Sequence, residues 1–170
     1  MYLHSMHFEI KPAGWKDFGA LLALQKQVIR EAEHLVATGK DRKESPLFAF
    51  AKALLHRKRV HTFVAQEGSE LVGYITIVFG KFRKIRETAY IVVGVRASHR
   101  GHGIGTALLK AAEEFARKHK MHRLELEVFE TNDGAVRLYE KLGYVIEGRR
   151  REAVKNESGY TDIIWMGKLL

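Results

Sequence analysis

Three glycines at every second position, Gly101, Gly103 and Gly105, constrain this chain more than any other feature. They join a β-rich run, residues 88–95, to a strongly helical run, residues 104–119. The first N–H groups of a helix have no partner inside it, and the helix dipole attracts anions to that end. Glycines leave these N–H groups uncovered by side chains. The segment therefore predicts a seat for a phosphate-bearing ligand at the start of the helix.

Two common nucleotide-binding motifs do not fit this segment. A P-loop requires a lysine directly after its last glycine, whereas Gly105 is followed by Thr106. A dinucleotide fingerprint that begins at Gly101 and Gly103 requires its third glycine at the position of Thr106. Both nucleotide interpretations are therefore excluded.

A different pattern does fit, and a second motif lies downstream of it. Arg100, Gly103 and Gly105 match Arg/Gln-x-x-Gly-x-Gly/Ala, and residues 132–144 read Asn-x-x-Ala-x-x-Leu-Tyr-x-Lys-x-Gly-Tyr. Together these motifs resemble the GNAT superfamily of acetyl-CoA-dependent N-acetyltransferases. The resemblance implies an α/β (mixed α+β) fold with a twisted, mostly antiparallel mixed sheet. Its central strands splay apart, helices cover both faces, and we expect one such domain over residues 1–170.

The order of predicted elements is compatible with that fold. Hydrophobic periodicity predicts helices over residues 15–36, 47–58, 104–119 and 132–142. Alternation and turn signals predict strands over residues 8–11, 60–66, 71–79, 88–95, 123–129, 144–147 and 160–169, the last two joined by a polar loop.

The resemblance also implies where acetyl-CoA lies, in the split between the strands at residues 88–95 and 123–129. Backbone N–H groups near Val93 to Val95 would bind the pantetheine arm and the thioester, and those of the glycine segment would hold the pyrophosphate. For Gly94, a strand bulge and tight packing are both open interpretations. The implied cofactor-binding residues are Val93, Gly94, Val95, Arg100, Gly101, His102, Gly103, Ile104, Gly105, Thr106, Asn132 and Tyr139.

Attack of an amine on a thioester needs a base, an acid and donors for the oxyanion. By resemblance, Tyr139 is the acid that protonates the departing thiolate, and Asn132 supports the cofactor or simply caps a helix. Glu87 is the candidate base, with a surface ion pair to Arg83 or Arg86 or an ordered water as alternatives. The chain contains no cysteine, which favours direct transfer in a ternary complex.

The acceptor is less constrained than the donor. In the family it is set by two loops, here residues 38–46 and 150–159. The tail around residues 147–162 favours a small amine or amino acid, with a protein N-terminus as the alternative. A non-catalytic acetyl-CoA-binding domain and a basic nucleic-acid-binding domain are the rival functions. The second requires clustered cations with exposed aromatics, and no such cluster is visible in the sequence.

Composition sets the remaining expectations. The net charge of +9 favours anionic partners, but its cations occur in short scattered runs. No apolar run approaches the ~20 residues of a membrane span, so we expect no membrane partner. The absence of cysteine fits a cytoplasmic protein, and a homodimer is left open. The pairs His99/His102 and His119/His122 lack a third ligand, so we expect no metal site.

Overall fold

The structure is a computed structural model that describes residues 7–31, 58–156 and 159–170. Its seven strands form one sheet with the order β1-β2-β3-β4-β5-β7-β6. All neighbouring pairs are antiparallel except β4 and β5, which are parallel. The strands are β1 Glu9–Pro12, β2 Val60–Glu67, β3 Glu70–Phe79, β4 Thr88–Val95, β5 Arg123–Phe129, β6 Val145–Asn156 and β7 Gly159–Leu169.

In the described part of the chain, three α-helices cover both faces of this sheet: α1 Phe18–Glu31, α2 Ile104–Lys118 and α3 Asp133–Lys141. The larger core cluster lies between the sheet and α2, where Ile75, Ile91, Leu108 and Leu124 are buried. A smaller cluster on the opposite face packs α1 through Leu24 and Val28 against β2 and β3. This architecture confirms the predicted fold class.

Most predicted elements occur where periodicity places them. The bounds of β4 and β5 agree with the prediction, and α2 ends one residue earlier than predicted. The predicted helix at residues 15–36 begins with a short 3-10 turn and is helical to Glu31, and residues 32–36 lie outside the described part. The predicted helix at residues 47–58, except for its last residue, and the acceptor loop at residues 38–46 also lie outside it.

The predicted polar loop at residues 150–159 is wrong. Strand β6 continues to Asn156 and pairs with β7 as a long hairpin, with register irregularities at Ile146/Gly148 and at Arg150/Val154. Nearly every residue of β6 is exposed, so its sequence lacks the apolar alternation that marks a half-buried strand. Pairing to β7, rather than burial, makes this segment a strand.

Within the described residues, none of the helices combines the length and the apolar character that a bilayer crossing requires.

Candidate active site

The parting of β4 and β5 creates the opening that dominates this site. The two strands pair only at Thr88↔Arg123, Ala89↔Leu124 and Tyr90↔Glu125. Beyond Tyr90, β4 keeps its pairing with β3, and beyond Glu125, β5 keeps its pairing with β7. Beyond this point each strand has an edge that pairs with no other strand among the described residues, and the two edges face each other across a gap.

The register identifies which backbone groups of β4 face the gap. The N–H of Arg96 donates to the Val72 carbonyl and the N–H of Gly80 donates to the Thr88 carbonyl, so even-numbered residues of β4 bond to β3. In an antiparallel pair, alternate residues point their backbone groups to opposite sides. The N–H and C=O groups of Val93 and Val95 therefore point into the gap, as a ligand bound along the strand edge requires.

Of the two interpretations of Gly94, a strand bulge and tight packing, the structure supports tight packing. Its register with Tyr74 is unbroken, so β4 has no bulge there. A Cβ at Gly94 would lie 2.6 Å from the Tyr74 ring and 2.9 Å from Val28. Tight packing of α1 against the sheet is therefore what requires glycine, and its backbone groups point to β3 rather than into the gap.

The glycine segment forms a bare cradle at the start of α2. Gly101 and Gly103 have φ values of 79° and 82°, in the left-handed region, and nothing lies within 4 Å of a Cβ built on either. Within the described part of the chain, no hydrogen bond is made by the backbone N–H groups of residues 101–106. These six unpaired donors at a helix start match the needs of a pyrophosphate.

The other residues of the segment have distinct roles. A Cβ at Gly105 would lie 3.2 Å from Leu138, so this glycine allows α3 to pack closely on α2. The Ile104 side chain is buried in the core, and only its N–H belongs to the cradle. His102 is exposed, Thr106 is half-buried, and Nε of Arg100 donates to the Val95 carbonyl at 3.1 Å.

Glu31 joins the end of α1 to the turn that leads into the cradle. Its Oε2 accepts the N–H of Ala97 at 2.8 Å, and its Oε1 accepts from Nε2 of Gln27 at 2.7 Å. The hydrogen bond from Ala97 is the main reason that the pKa of Glu31 is below its usual value. A carboxylate thus fixes the chain just before the glycines.

Tyr139 lies beside both the cradle and the gap. Its ring is buried and meets the Tyr144 ring edge-on at 5.9 Å, and its neighbour Leu138 packs against the start of α2. Burial, and secondarily the nearby Tyr90 hydroxyl, raise the pKa of Tyr139 well above its usual value. The phenol is therefore protonated at neutral pH. Asn132 caps α3, because its Oδ1 accepts the N–H of Ala135 at 3.2 Å.

Glu87 lies at the closed end of the gap, before β4 begins. Its side chain is 61% exposed and its Oε1 is 3.7 Å from Nε of Arg86. Val93 lies six positions further along the chain, a distance of about 20 Å at ~3.3 Å per residue of strand. The structure thus brings together Val93, Val95, the cradle and Tyr139, while Glu87 lies apart from them.

Another carboxylate, Glu127, was missed by the sequence reasoning and borders the gap directly. It is two residues beyond the last β4–β5 pair, and its side chain is 23% exposed. The backbone of Glu127 is hydrogen-bonded with the Tyr90 hydroxyl, whose pKa is raised chiefly by burial and then by the Glu127 carboxylate. The alternation of residues 123–129 placed Glu125 and Glu127 on one face, but only the register shows that β5 has parted from β4 at the position of Glu127.

The surroundings of Glu127 form a small polar and aromatic site. Trp165 is its cross-strand partner on β7, and the Trp165 ring lies 6.1 Å from the Tyr90 ring. Arg150 of β6 places Nη1 3.4 Å from Oε1 of Glu127. An anion and a cation therefore lie side by side, and the anion has an aromatic residue, Trp165, as its cross-strand partner.

The histidines considered as metal ligands make other contacts. His99 pairs with Glu67 at 3.0 Å, and the His119 ring lies 4.0 Å from the Phe115 ring. No group of three histidine or carboxylate side chains suited to a metal ion occurs among the described residues.

Comparison with known proteins identifies the family. The model of the acetyltransferase (GNAT) family matches residues 25–144. The chain is 33% identical over 147 residues to the N-alpha-acetyltransferase RimI of Mycobacterium tuberculosis. This alignment covers 84% of this chain and 88% of that protein. It is 26% identical over 117 residues to the L-amino acid N-acetyltransferase AaaT of Escherichia coli, covering 68% of this chain and 72% of that one.

Structural similarity extends over nearly the whole chain. A GNAT acetyltransferase from Streptococcus pneumoniae superposes with a TM-score of 0.89 at 26% identity, covering 96% of this chain and 100% of the other. Some relatives are longer: the chain spans 46% of an uncharacterised N-acetyltransferase from Methanocaldococcus jannaschii and 24% of human N-alpha-acetyltransferase 30. The family match, the splayed strands and the bare cradle agree, and the chain belongs to the GNAT family of acetyl-CoA-dependent N-acetyltransferases.

Proposed function

We propose that this chain transfers the acetyl group of acetyl-CoA to the α-amino group of a free amino acid or a related small amine. The observation that carries the proposal is the pairing of Glu127 with Arg150 beside the β4–β5 gap. A carboxylate attracts and deprotonates an ammonium group, and a guanidinium binds a carboxylate. An amino acid carries both groups on one carbon.

The donor would be held by backbone groups rather than by charged side chains. The free N–H groups of residues 101–106 would bind the pyrophosphate, and the gap-facing edge of Val93 and Val95 would pair with the amides of the pantetheine arm. Bound acetyl-CoA supplies the activated thioester. The N–H of Val93 is the donor on this edge that we assign to the developing oxyanion.

Tyr139 is the proposed general acid. Burial keeps its hydroxyl protonated well beyond neutral pH, and no charged partner among the described residues stabilises a phenolate there. It would donate this proton to the departing sulfur. Tyr144 buries its own hydroxyl, which has no hydrogen-bond partner among the described residues, and it thereby contributes to the low-dielectric surroundings.

Glu127 is the proposed general base, in place of Glu87. A base must reach the amine, directly or through one water, on the side from which it attacks. Glu127 borders the open part of the gap, whereas Glu87 lies at the closed end and on the strand face that carries Ala89 and Ile91 into the core. Transfer would be direct, since the chain has no cysteine to carry an acyl group.

A protein N-terminus is the second candidate acceptor. It is favoured by the similarity to RimI, which covers more of the chain at higher identity than the similarity to AaaT. Both candidates present an α-amino group to the same base. They differ in the free carboxylate that only the amino acid has next to that amine.

We also propose that residues 1–170 act as one catalytic domain. The family match ends at residue 144, but β7 pairs along the whole of β5, and β1, which precedes the match, pairs with β2. The strands outside the matched range are thus integral to the sheet that holds the gap.

The test is thiol release from acetyl-CoA with three acceptor sets: free L-amino acids, their amides, and short peptides with the same first residues. Turnover with free amino acids and little with amides supports the proposal, whereas turnover with peptides alone transfers it to protein N-termini. Tight acetyl-CoA binding with no turnover in any set would leave only the non-catalytic interpretation.

Two matched variants test the base. Glu127→Gln should lower kcat by about 10²-fold or more, because proton abstraction by a general base contributes about 10²–10⁴-fold. Glu87→Gln is the matched control, because it makes the same glutamate-to-glutamine change directly before β4, and it should retain wild-type kinetics. Equal losses in both variants, or a loss in Glu87→Gln only, would return the base to Glu87.

Arg150→Gln separates the two acceptors. It should raise KM for a free amino acid at least about ten-fold, the value of one charge-assisted hydrogen bond, and leave KM for the matching amide unchanged. An equal change for both acceptors would mean that Arg150 does not bind the carboxylate.

A further inference from the structure

Three separate segments of the chain meet at the end of the sheet opposite the glycine cradle. They are residues 58–59 before β2, residues 81–87 between β3 and β4, and residues 117–122 at and after the C-terminus of α2. We call these three segments the basic end. The N–H of Phe79 donates to the Arg59 carbonyl at 2.8 Å, and the N–H of His122 donates to the Glu87 carbonyl at 2.7 Å. The fold therefore makes one surface from segments far apart in sequence.

The basic end carries almost all of the excess charge of the protein. Its fifteen residues contain nine of the 29 lysines and arginines but one of the 20 acidic residues, a net charge of +8 against +9 for the whole chain. The other residues together are nearly neutral. Glu87 lies beside Arg86, and Glu114, just outside the segments, pairs with Lys118. A field of this kind attracts a polyanion.

One aromatic ring projects from the middle of these cations. Phe82 is 67% exposed, and Nζ of Lys81 lies 5.7 Å from its ring centroid. The turn that presents it is well fixed: the N–H of Ile85 donates to the Phe82 carbonyl at 3.0 Å, and a Cβ at Gly80 would lie 2.0 Å from the Ile85 carbonyl oxygen. The backbone of the turn is therefore held in place, and the exposed ring offers a face on which a base can stack.

We propose that the basic end is a second binding site, for single-stranded nucleic acid, with RNA as the form to test. Lysines and arginines would contact successive phosphates, and a base would stack on Phe82. An anionic membrane fits less well, because only two large apolar side chains are exposed at the described basic end, Phe82 at 67% and Ile85 at 49%. A bilayer surface is bound by a broader apolar face.

The site is remote from the acetyl-CoA site. From Glu87 of the basic end, β4 runs past the parting at Tyr90 to Val93, about 20 Å away at ~3.3 Å per residue. Helix α2 runs from the cradle back to the basic end over 15 residues, about 22 Å at 1.5 Å per residue. RNA at the basic end should therefore leave acetyl-CoA affinity unchanged.

Fluorescence anisotropy with a labelled oligouridine of about 15 nucleotides tests the proposal. Affinity should fall steeply between about 50 and 200 mM salt. The double variant Arg83→Gln/Lys84→Gln should reduce the slope of log K against log salt by about 1.4, at about 0.7 per phosphate contact. The matched control Lys26→Gln/Lys110→Gln removes two exposed helical lysines elsewhere and should retain the wild-type slope.

Phe82 tests the stacking contact separately from the charge. Phe82→Ala should weaken RNA binding about ten-fold, and Phe82→Tyr, which keeps the ring, should restore it. Equal affinity of the two double variants, or of Phe82→Ala and wild type, would overturn the proposal. So would binding of vesicles containing phosphatidylserine without binding of RNA, which would assign the basic end to a membrane.

Discussion

Replacement of Gly103 by alanine separates the phosphate seat from ordinary backbone strain. Gly103 has a φ of 82° and open space around its missing side chain. Gly68, in the turn between β2 and β3, has a φ of 56° and equally open surroundings. The two sites therefore present the same backbone problem to an alanine, but only Gly103 lies among the free N–H groups of the cradle.

The expected magnitudes follow from this pairing. An alanine in the left-handed region costs about 1–2 kcal/mol, so both variants should lose a similar amount of unfolding free energy. At Gly103 the added methyl group also stands where a phosphate oxygen would approach the cradle. Loss of one hydrogen bond to a charged oxygen is worth about 1.5–3 kcal/mol, or about 10- to 150-fold in affinity.

Isothermal titration calorimetry with acetyl-CoA and with acetyl-pantetheine, which lacks the pyrophosphate, measures this effect. Gly103→Ala should lose affinity for acetyl-CoA only, and Gly68→Ala for neither ligand. Urea unfolding of both variants provides the stability comparison. Unchanged acetyl-CoA affinity in Gly103→Ala, or an equal loss in Gly68→Ala, would refute the placement of the pyrophosphate.

Three further predictions concern other parts of the molecule. Tyr139→Phe should lower kcat by about 10²-fold or more with little change in KM for acetyl-CoA. Because burial raises the pKa of Tyr139, the rate of the wild-type enzyme should not fall with rising pH below about pH 10. An undiminished kcat in Tyr139→Phe would exclude Tyr139 as the general acid. Glu31→Ala leaves the Ala97 N–H without its partner and should raise KM for acetyl-CoA several-fold at constant kcat, in steady-state assays; a change confined to kcat would contradict this positioning role. Burial lowers the pKa of His61 below its usual 6.5, so on acidification the unfolded chain binds a proton before the folded protein does. The urea midpoint of unfolding should therefore decrease as pH falls from about 7 to 5. His61→Phe should weaken this pH dependence, and an unchanged dependence would exclude His61 as its source.

Local sequence patterns were sufficient for the helix start with its bare glycines and for the two strands that border the gap. The glycine segment fixes a bare helix start because Gly101 and Gly103 need the left-handed region, and the apolar periodicity of α2 locates that helix. The strands β4 and β5 are buried and alternate clearly, so their bounds agree with the prediction. These signals lie within one element and its cap.

Features that depend on pairing between distant segments could not be predicted. The pairing register between β4 and β5 determines that the strands part after Tyr90. This position of the parting is the reason that Glu127, rather than Glu87, borders the gap. Gly94 needs to be small because Tyr74 and Val28, from two other elements, occupy its side-chain space. The polar strand β6 is defined by its partner β7, and the basic end exists only once three segments converge.

The backbone amides themselves provide the most direct test of the account. In a ¹⁵N–¹H correlation spectrum titrated with acetyl-CoA, we expect the largest shifts at Val93, Val95 and residues 101–106, whose N–H groups face the gap or lack partners among the described residues. The amide of Gly94, bonded toward β3, should move less than those of its two neighbours. Saturable binding that leaves Val93 and residues 101–106 unshifted would contradict the account.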